Sequence, residues 1–324
     1  MEILYLNRRD VEFLNISYPE VINAVELSFK LKGEGKVELP PKPGVHPRPN
    51  SFIHAMPAYI GGEVDVAGVK WVAGYPDNPA RGLPSIIAIL VLNDASTGVP
   101  VAVMDATWIT AVRTAAASAV AAKYLARPSA ENLGIIGLGV QGRTHLLAMR
   151  EVVKLKRVYV YDVVKPKIKE YVEEMSPKCP EAEIVPCDDY KCVTKNSDIV
   201  VTATYIVEKP ERFIGLGDLR EEFLAIPIDY DAAFKEEVAN GVEVFVVDDR
   251  GQYLATKARG PYFKGYPDRV DYDMGDVVAG KVTGLREKRK KMALLMGIAS
   301  HDVIVAKIVY EAAVKRGVGV RLPL

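Results

Sequence analysis

Residues 134–142 read Gly-Ile-Ile-Gly-Leu-Gly-Val-Gln-Gly, an apolar segment typical of a strand that runs into a glycine-rich turn. Glycines 137, 139 and 142 match the Gly-x-Gly-x-x-Gly spacing of dinucleotide-binding proteins. In that motif the first glycine allows the tight turn, the second leaves room for a pyrophosphate, and the third lets the next helix lie close to its strand. The start of that helix offers unpaired N–H groups to phosphate. The stretch therefore predicts a dinucleotide site, with a purely structural turn as the alternative.

A second signal follows the glycines. Residues 157–162 read Arg-Val-Tyr-Val-Tyr-Asp, a short alternating strand that ends in an acid about twenty residues beyond Gly142, as the dinucleotide fingerprint requires. Asp162 is expected to accept a hydrogen bond from the ribose 2′-hydroxyl and to repel a 2′-phosphate. The pattern favours NAD(H) over NADP(H), although Lys165 and Lys167 lie just beyond and soften the preference.

Composition narrows the class of partner. The 324 residues suit two domains, and 42 Lys plus Arg balance 42 Asp plus Glu. Without an overall field, recognition of nucleic acid or of an anionic membrane is not expected, and a small molecule is the predicted partner.

The cysteines and the N-terminus predict the compartment. Three cysteines, at positions 179, 187 and 192, are odd in number and lack Cys-x-x-Cys spacing, which argues against a disulfide framework and against a zinc site. The first residues lack the layout of a signal peptide, and no apolar stretch reaches the roughly eighteen residues of a membrane span. A cytoplasmic protein is expected.

Hydrophobic patterns predict the organisation of the chain. Strand-like runs at 133–136, 157–161, 199–204, 223–227 and 242–247 alternate with helical segments, which is typical of a doubly wound parallel sheet. Before them come a strand at 3–6, a helix at 18–31, a proline-rich loop at 39–50, strand runs at 66–72, 85–92 and 99–104, and an alanine-rich helix at 106–126. Residues 292–315 predict a last helix that returns to the first domain.

Two cations stand out as candidate ligands for a carboxylate. Arg113 lies in a helix of otherwise small and apolar residues, and Lys70 lies in an apolar strand. A guanidinium suits a carboxylate because both are planar and bidentate. An ordinary partnered or solvated cation remains the alternative for both residues.

Acids and histidines supply further candidates. Asp229 and Asp231 follow a predicted strand, at the sheet edge where open α/β folds place ligands, and an acid there can exchange a proton with an amine. His54 and His301 can titrate near neutrality, although a lone histidine more often packs or caps. The His-Glu-x-x-His and Gly-x-Ser-x-Gly motifs are absent, so zinc hydrolysis and serine esterase chemistry have no support.

Taken together, these segments resemble the ornithine cyclodeaminase/mu-crystallin family over nearly the whole chain. The matching segments are, in order, Lys70, Gly82-Leu83-Pro84, Val-Ala-Val-Met-Asp at 101–105, Arg-Thr-Ala-Ala at 113–116, the glycine turn at 137–142, and Asp-Val-Ile-Val-Ala-Lys at 302–307. The resemblance implies a Rossmann domain, residues 127–291, inserted into an α+β substrate-binding and dimerisation domain built from residues 1–126 and 292–324. It also implies a homodimer.

The resemblance assigns roles to individual residues. Lys70 and Arg113 match residues that hold the substrate carboxylate, Asp231 matches the acid that handles protons, and Lys42 and His54 belong to the substrate site, with Lys70 and Asp231 as the catalytic pair. The residues assigned to the coenzyme are Arg113, Thr114, Gly137, Gly139, Val140, Gln141, Gly142, Asp162, Thr202, Ala203 and Thr204.

The chain also departs from the family pattern. Many relatives have an arginine where this chain has His54, so one carboxylate contact is either missing or supplied by Arg48. Phe234 replaces a glycine of the cyclodeaminase pattern and is expected to reshape the pocket.

The resulting hypothesis is an NAD(H)-dependent oxidoreductase acting at the Cα–N bond of an L-amino acid or cyclic imino acid, as an amino-acid dehydrogenase or a ketimine or pyrroline-2-carboxylate reductase. The alternatives are a redox-neutral ornithine cyclodeaminase that releases ammonia, and a crystallin-like protein that binds NAD(P)H without turnover.

Overall fold

A computed structural model of the protein describes residues 1–324. Its strands are β1 (Glu2–Leu6), β2 (Val37–Glu38), β3 (Gly44–Val45), β4 (Phe52–Ile60), β5 (Val66–Gly74), β6 (Ile86–Asp94), β7 (Pro100–Asp105), β8 (Asn132–Ile136), β9 (Arg157–Tyr161), β10 (Glu183–Pro186), β11 (Ile199–Thr202), β12 (Phe223–Pro227), β13 (Val244–Val247), β14 (Tyr272–Asp273), β15 (Lys290–Leu294) and β16 (Val320–Pro323). Its α-helices are α1 (Arg8–Phe13), α2 (Tyr18–Gly33), α3 (Thr107–Leu125), α4 (Val140–Met149), α5 (Lys165–Met175), α6 (Tyr190–Asn196), α7 (Glu236–Gly241), α8 (Arg250–Arg259), α9 (Met274–Val278) and α10 (Ala299–Arg316). None of these helices combines the length and apolar composition that crossing a membrane requires.

The chain divides into two compact units. The first unit comprises Met1–Arg113 and Ile298–Leu324, and the second comprises Thr114–Gly297. These divisions differ from the boundaries at 126/127 and 291/292 that the sequence suggests. β15 accounts for the second difference, because it is hydrogen-bonded between β12 and β13 in the sheet of the second unit.

The first unit is built around a mostly antiparallel sheet in the order β16-β1-β7-β6-β5-β4-β2, with β3 paired to β4. Helix α10 packs on β4, β5, β6 and α2, so the end of the chain covers a sheet formed by its beginning. In β5 the residues alternate between a buried face, which includes Lys70, and a face that leaves Trp71 49% exposed. This alternation determines which side chains of the sheet reach the interior.

The second unit contains the predicted doubly wound sheet, in the order β10-β9-β8-β11-β12-β15-β13-β14 with every pairing parallel. The fold class is therefore confirmed. The chain runs outward in one direction through β8, β9 and β10 and then returns to β11, so the strand order reverses between β8 and β11. In open α/β sheets, ligands bind at such a reversal, beyond the carboxyl ends of the strands.

Two sequence interpretations were wrong. Residues 292–294 belong to β15 and not to the last helix, because their apolar run is buried inside a sheet, and a short buried run does not distinguish a strand from a helix. Cys187 and Cys192 form a disulfide. Cys187 directly follows β10 and Cys192 lies in α6, and their Cα atoms are 5.7 Å apart, while Cys179 is free and buried.

Candidate functional site

A buried ion cluster in the first unit contains both predicted carboxylate ligands. The Lys70 side chain is 0% exposed, and its Nζ donates to Asp302 Oδ1 at 2.7 Å and to Thr110 Oγ1 at 3.2 Å. Arg113 Nε donates to the same Asp302 oxygen at 2.9 Å. The sequence predicts the two cations, and the structure adds the carboxylate that they share.

Three elements position this cluster. Lys70 is on the buried face of β5, and Asp302 is on the first turn of α10, which packs on that face. Arg113 is on α3, where Asp105 accepts a hydrogen bond from the N–H of Thr107 at 3.0 Å and so caps the start of the helix.

When Lys70 is protonated, the cluster carries one positive charge in excess, because two cations share one carboxylate. Asp302 Oδ2 is buried and has no hydrogen-bond partner. Arg113 has four further N–H donors besides the Nε–H that it spends on Asp302. A second carboxylate, brought by a substrate, would balance the charge.

Burial and neighbouring charges shift the pKa values of both Lys70 and Asp302. Burial and the nearby Arg113 charge lower the pKa of Lys70 to about 7, against the opposing effect of Asp302. Burial alone would raise the pKa of Asp302, but Arg113 and Lys70 outweigh it and hold that pKa below its usual value. Lys70 is therefore a buried amine that can hold or release a proton near neutral pH.

His54 lies on the same face of the sheet as Lys70, because its β4 register partner is Val72, two residues along β5. Its ring stacks on Phe52 with centroids 4.3 Å apart. Burial and the charge of Lys42 lower the pKa of His54 to about 3. At neutral pH His54 is thus uncharged, so it cannot supply the cationic contact that an arginine at this position would supply.

The remaining candidates of the first unit differ in position. Lys42 is half-buried, and its charge acts on both His54 and Lys70. Arg48 is exposed and donates to the carbonyl of Pro47 at 2.6 Å. His301 is buried against Phe29, with ring centroids 4.3 Å apart, and neither ring nitrogen has a partner.

The glycine turn of the second unit has the geometry that a dinucleotide requires. Gly137 has φ +97°, and a Cβ there would lie 2.4 Å from the carbonyl oxygen of Ala203. A Cβ on Gly142 would lie 2.4 Å from the carbonyl oxygen of Gly137, so the helix can approach its strand only with glycine. Around Gly139, the N-cap of α4, nothing lies within 4 Å of such a Cβ. The space for a pyrophosphate is therefore open, next to the exposed Val140 and the half-buried Gln141.

Asp162 is attached to this turn. One carboxylate oxygen accepts from the N–H of Leu138 and the other from the N–H of Val164, both at 2.9 Å. Each oxygen retains a lone pair, so the carboxylate can still accept from a ribose hydroxyl. These residues fit the predicted coenzyme.

Asp229 organises the segment that follows β11. Its carboxylate accepts from the hydroxyl of Thr202 at 2.6 Å and from the N–H of Thr204 at 3.0 Å. The hydroxyl of Thr204 donates to it at 2.5 Å. Burial raises the pKa of Asp229 in spite of these bonds. The fully buried hydroxyl of Thr202 is thus committed to Asp229, and Ala203 contributes its carbonyl to the contact with Gly137. Thr114, on α3, is half-buried.

Asp231 is buried and anchored on one side only. Its Oδ2 accepts from Arg212 at 2.5 Å and from the N–H of Phe263 at 2.8 Å, whereas Oδ1 has no hydrogen-bond partner. Tyr230 and Phe263, which flank it, both have φ +61°. Such conformations are strained in aromatic residues and concentrate at functional sites. Oδ1 is therefore the buried oxygen of Asp231 whose hydrogen-bonding capacity the protein leaves unused.

Phe234 does not line a pocket. It is 0% exposed and belongs to the hydrophobic core of the second unit, where its carbonyl accepts from the Tyr266 hydroxyl at 2.8 Å. The expectation that it reshapes the substrate pocket was wrong, because its ring points into the core.

Comparison with known proteins places this geometry in a family. The model of the ornithine cyclodeaminase/mu-crystallin family matches residues 1–317. The chain belongs to this family. It is 35% identical to the alanine dehydrogenase of Archaeoglobus fulgidus, over 99% of this chain and 98% of that protein.

Two solved members of the family have similar structures. One is the pyrroline-2-carboxylate reductase of Thermococcus litoralis in complex with NADH and L-proline, with a TM-score of 0.87, 35% identity, and coverage of 98% of this chain and 99% of that one. The other is an archaeal alanine dehydrogenase dimer with bound NAD, with a TM-score of 0.86, 32% identity, and coverage of 100% of both chains.

Two charged partners of the candidate residues, Asp302 and Arg212, were not predicted from the sequence. Asp302 directly precedes the apolar helical run at 303–306, and a charge beside such a run is the kind of signal that singled out Arg113. Arg212 lies in an irregular segment, where the sequence offers no pattern that connects it with Asp231.

We predict that Asp302→Asn lowers the free energy of unfolding by about 3–5 kcal/mol, because it leaves two buried cations without their shared counter-ion. Denaturant unfolding at neutral pH measures this loss. Because the folded protein lowers the pKa of Asp302, the stabilisation is present above the ordinary carboxyl pKa of about 3.9 and is lost as the pH falls below it.

Glu311→Gln is the matched control. It removes an exposed ion pair with Lys307 from the same helix and is expected to cost only about 0.2–1 kcal/mol. Equal losses in the two variants would contradict a special role of Asp302.

Proposed function

We propose that the protein is an NAD(H)-dependent oxidoreductase that acts at the Cα–N bond of an L-amino acid or cyclic imino acid. The observation that carries this proposal is the buried cluster of Lys70 and Arg113 around Asp302, whose excess positive charge fits a substrate carboxylate. The open glycine turn with Asp162 supports NAD(H), with NADP(H) less favoured. The relatives named above, a dehydrogenase and a reductase of amino or imino acids, agree with both parts.

In this proposal the residues of the first unit hold the substrate. Arg113 pairs with the carboxylate through its free N–H donors, and Lys70 adds its charge when protonated. Asp302 fixes the direction of both side chains. Lys42 and the neutral His54 contribute a charge and a hydrogen-bonding ring at the periphery. Orientation of this kind lowers the barrier because the reacting groups need not be brought together by diffusion.

The residues of the second unit serve the coenzyme and the proton. Gly137, Gly139, Gly142 and the start of α4 would hold the pyrophosphate, Asp162 the adenosine ribose, and residues 202–204 the far side of the turn. When bound, NAD(H) would supply or accept a hydride at the α-carbon. Asp231 would exchange the proton of the nitrogen through its unpartnered Oδ1.

The first test is an assay of NADH consumption. The purified protein is offered pyrroline-2-carboxylate, piperideine-2-carboxylate, and pyruvate with ammonia in turn, and consumption of NADH with one of them is expected. NADPH should react more slowly, because Asp162 repels a 2′-phosphate. Release of ammonia from ornithine without net NADH would point to a cyclodeaminase instead. Tight binding of NADH without any turnover would indicate a binding protein.

We expect kcat/KM for reduction to fall as the pH rises through about 7, because Lys70 then loses the charge that binds the carboxylate. Lys70→Gln should lower kcat/KM by at least about tenfold at pH 6 and abolish this pH dependence. The charged groups that shift the pKa of Lys70, and so determine where kcat/KM falls with pH, are Arg113, Asp302 and Lys42.

Lys154→Gln, an exposed substitution in the second unit, is the control and should behave like the wild type. An unchanged pH profile in Lys70→Gln would assign the titration to another group.

We also propose that the protein is a homodimer. The face of the first sheet opposite Lys70 is apolar and uncovered, with Trp71 49%, Ile87 40% and Ile89 49% exposed. The register places Ala55, Trp71 and Ile89 side by side across β4, β5 and β6. An exposed apolar patch of this kind marks an interaction surface, and the archaeal relative is a dimer.

Sedimentation measures the assembly. The wild type should have twice the 35.5 kDa mass of the chain, whereas Ile89→Arg should have the mass of one chain, because a twofold interface presents each new charge twice. Phe13→Arg, at another exposed apolar position of the first unit, should remain dimeric. A dimeric Ile89→Arg would exclude this face as the interface.

The cytoplasm is the proposed compartment, since NAD(H) is available there.

A further inference from the structure

A second charged pocket lies in the second unit, at the edge of the sheet opposite the glycine turn. It has a volume of about 220 Å³, and its lining includes Asn132, Phe223 and Lys291. These residues lie at the first ends of β8, β12 and β15, whereas the glycine turn follows the last residue of β8. At about 3.3 Å per residue, the five residues of β8 separate the two places by about 13 Å. The pocket is therefore distinct from the coenzyme site.

Lys291 is the buried cation of this pocket. It is 1% exposed, and its Nζ donates to the carbonyl oxygens of Arg286, at 3.0 Å, and of Lys288. These two bonds leave one N–H donor of the ammonium. Burial and the charge of Arg127 lower the pKa of Lys291 to about 8, so the amine remains mostly charged at neutral pH. The ammonium is bonded only to neutral carbonyls and has no directly bonded counter-ion, although the charges of Glu243 and Glu287 act on it from farther away.

The rest of the lining does not supply that counter-ion. Four cationic side chains line the pocket but only three carboxylates. Glu222 pairs with both Arg127 and Arg289, and Asp198 pairs with Arg220 at 3.2 Å. Glu131, the third carboxylate, pairs with Lys156 at 2.6 Å. Each of these carboxylates is thus paired with a cation other than Lys291, and Arg289 also pairs with Glu221 outside the lining. Lys291 is the cationic side chain of the lining that makes no salt bridge.

We propose that this pocket binds a small oxyanion, with the Lys291 ammonium as its buried donor and the guanidinium groups of Arg127 and Arg289 as its partners at the rim. An anion there would give Lys291 a directly bonded counter-ion and occupy its third donor. Guanidinium groups match the planar, multidentate oxygens of carboxylate and phosphate. The shared chemistry is the oxyanion, whether a phosphate or a small dicarboxylate carries it.

The test is thermal unfolding of the full chain with inorganic phosphate or with malonate. Sodium chloride keeps the ionic strength constant, since salt alone screens surface charges. Saturating NADH is present throughout, so that the glycine turn is not free to bind phosphate. At least one anion should raise Tm by about 2–4 °C, as expected for a ligand that binds only the folded state.

Lys291→Met should abolish the increase with phosphate and reduce the increase with malonate, which the Lys70–Arg113 cluster can also bind, whereas Lys288→Met, which removes the same charge from an exposed neighbour, should preserve both. A loss in Lys291→Met of the response to phosphate alone identifies a phosphoryl ligand, and a loss of the response to malonate alone a carboxylate ligand. An equal increase in wild type and Lys291→Met, or no increase with either anion, would overturn the proposal.

A second variant covers the case in which Lys291→Met does not fold. The Arg127 side chain is 40% exposed, so Arg127→Gln removes a rim cation without emptying the core. It should lose at least about half of the increase in Tm, and a full increase would count against the site. If NADH itself fails to raise Tm, the coenzyme proposal fails separately, and the comparison of variants with anion still tests this pocket.

Discussion

The shared carboxylate of Asp302 is the interaction on which the first unit depends. It joins β5, α3 and α10 through Lys70 and Arg113, residues that precede it in the chain by 232 and 189 positions. Neither cation could be buried alone, because a desolvated charge without a partner costs several kcal/mol. The C-terminal helix α10 is therefore required because it carries Asp302, the counter-ion that allows Lys70 and Arg113 to be buried.

Buried charges of the second unit are also held by specific partners, but here the buried groups are the carboxylates of Asp229 and Asp231. Asp229 is surrounded by neutral donors from Thr202 and Thr204, which fixes the segment beside the glycine turn. Asp231, two residues later, is held by the cation of Arg212 and by a main-chain N–H. Both carboxylate oxygens of Asp229 thus accept hydrogen bonds within the protein, whereas Asp231 retains one oxygen without a partner. The difference between these neighbours comes from their partners and not from their residue type.

Local patterns explain why some of this organisation is readable from the sequence. The glycine spacing, the acid after β9 and the alternating apolar runs of the parallel strands are each determined within about thirty residues, so the doubly wound sheet and its turn follow from them. The strand nature of β15 and the pairing of Arg212 with Asp231 depend on tertiary contacts that no local pattern records. The disulfide joins cysteines only five residues apart, but their spacing does not show that the turn between β10 and α6 brings them together. Phe234 is a further example. It lies close to Asp231 in the sequence, but this proximity does not show that its ring is buried in the core.

The choice of lysine at position 70 has a chemical consequence. An arginine there would remain charged at any relevant pH and could only bind, because a guanidinium does not release its proton in proteins. Burial beside Arg113 brings the pKa of Lys70 to about 7, so that its charge is conditional. An approaching carboxylate favours the protonated form, because it adds a second anion beside Asp302. Binding of the substrate would therefore itself charge Lys70, and the site would become fully cationic only when an anion is present to balance it.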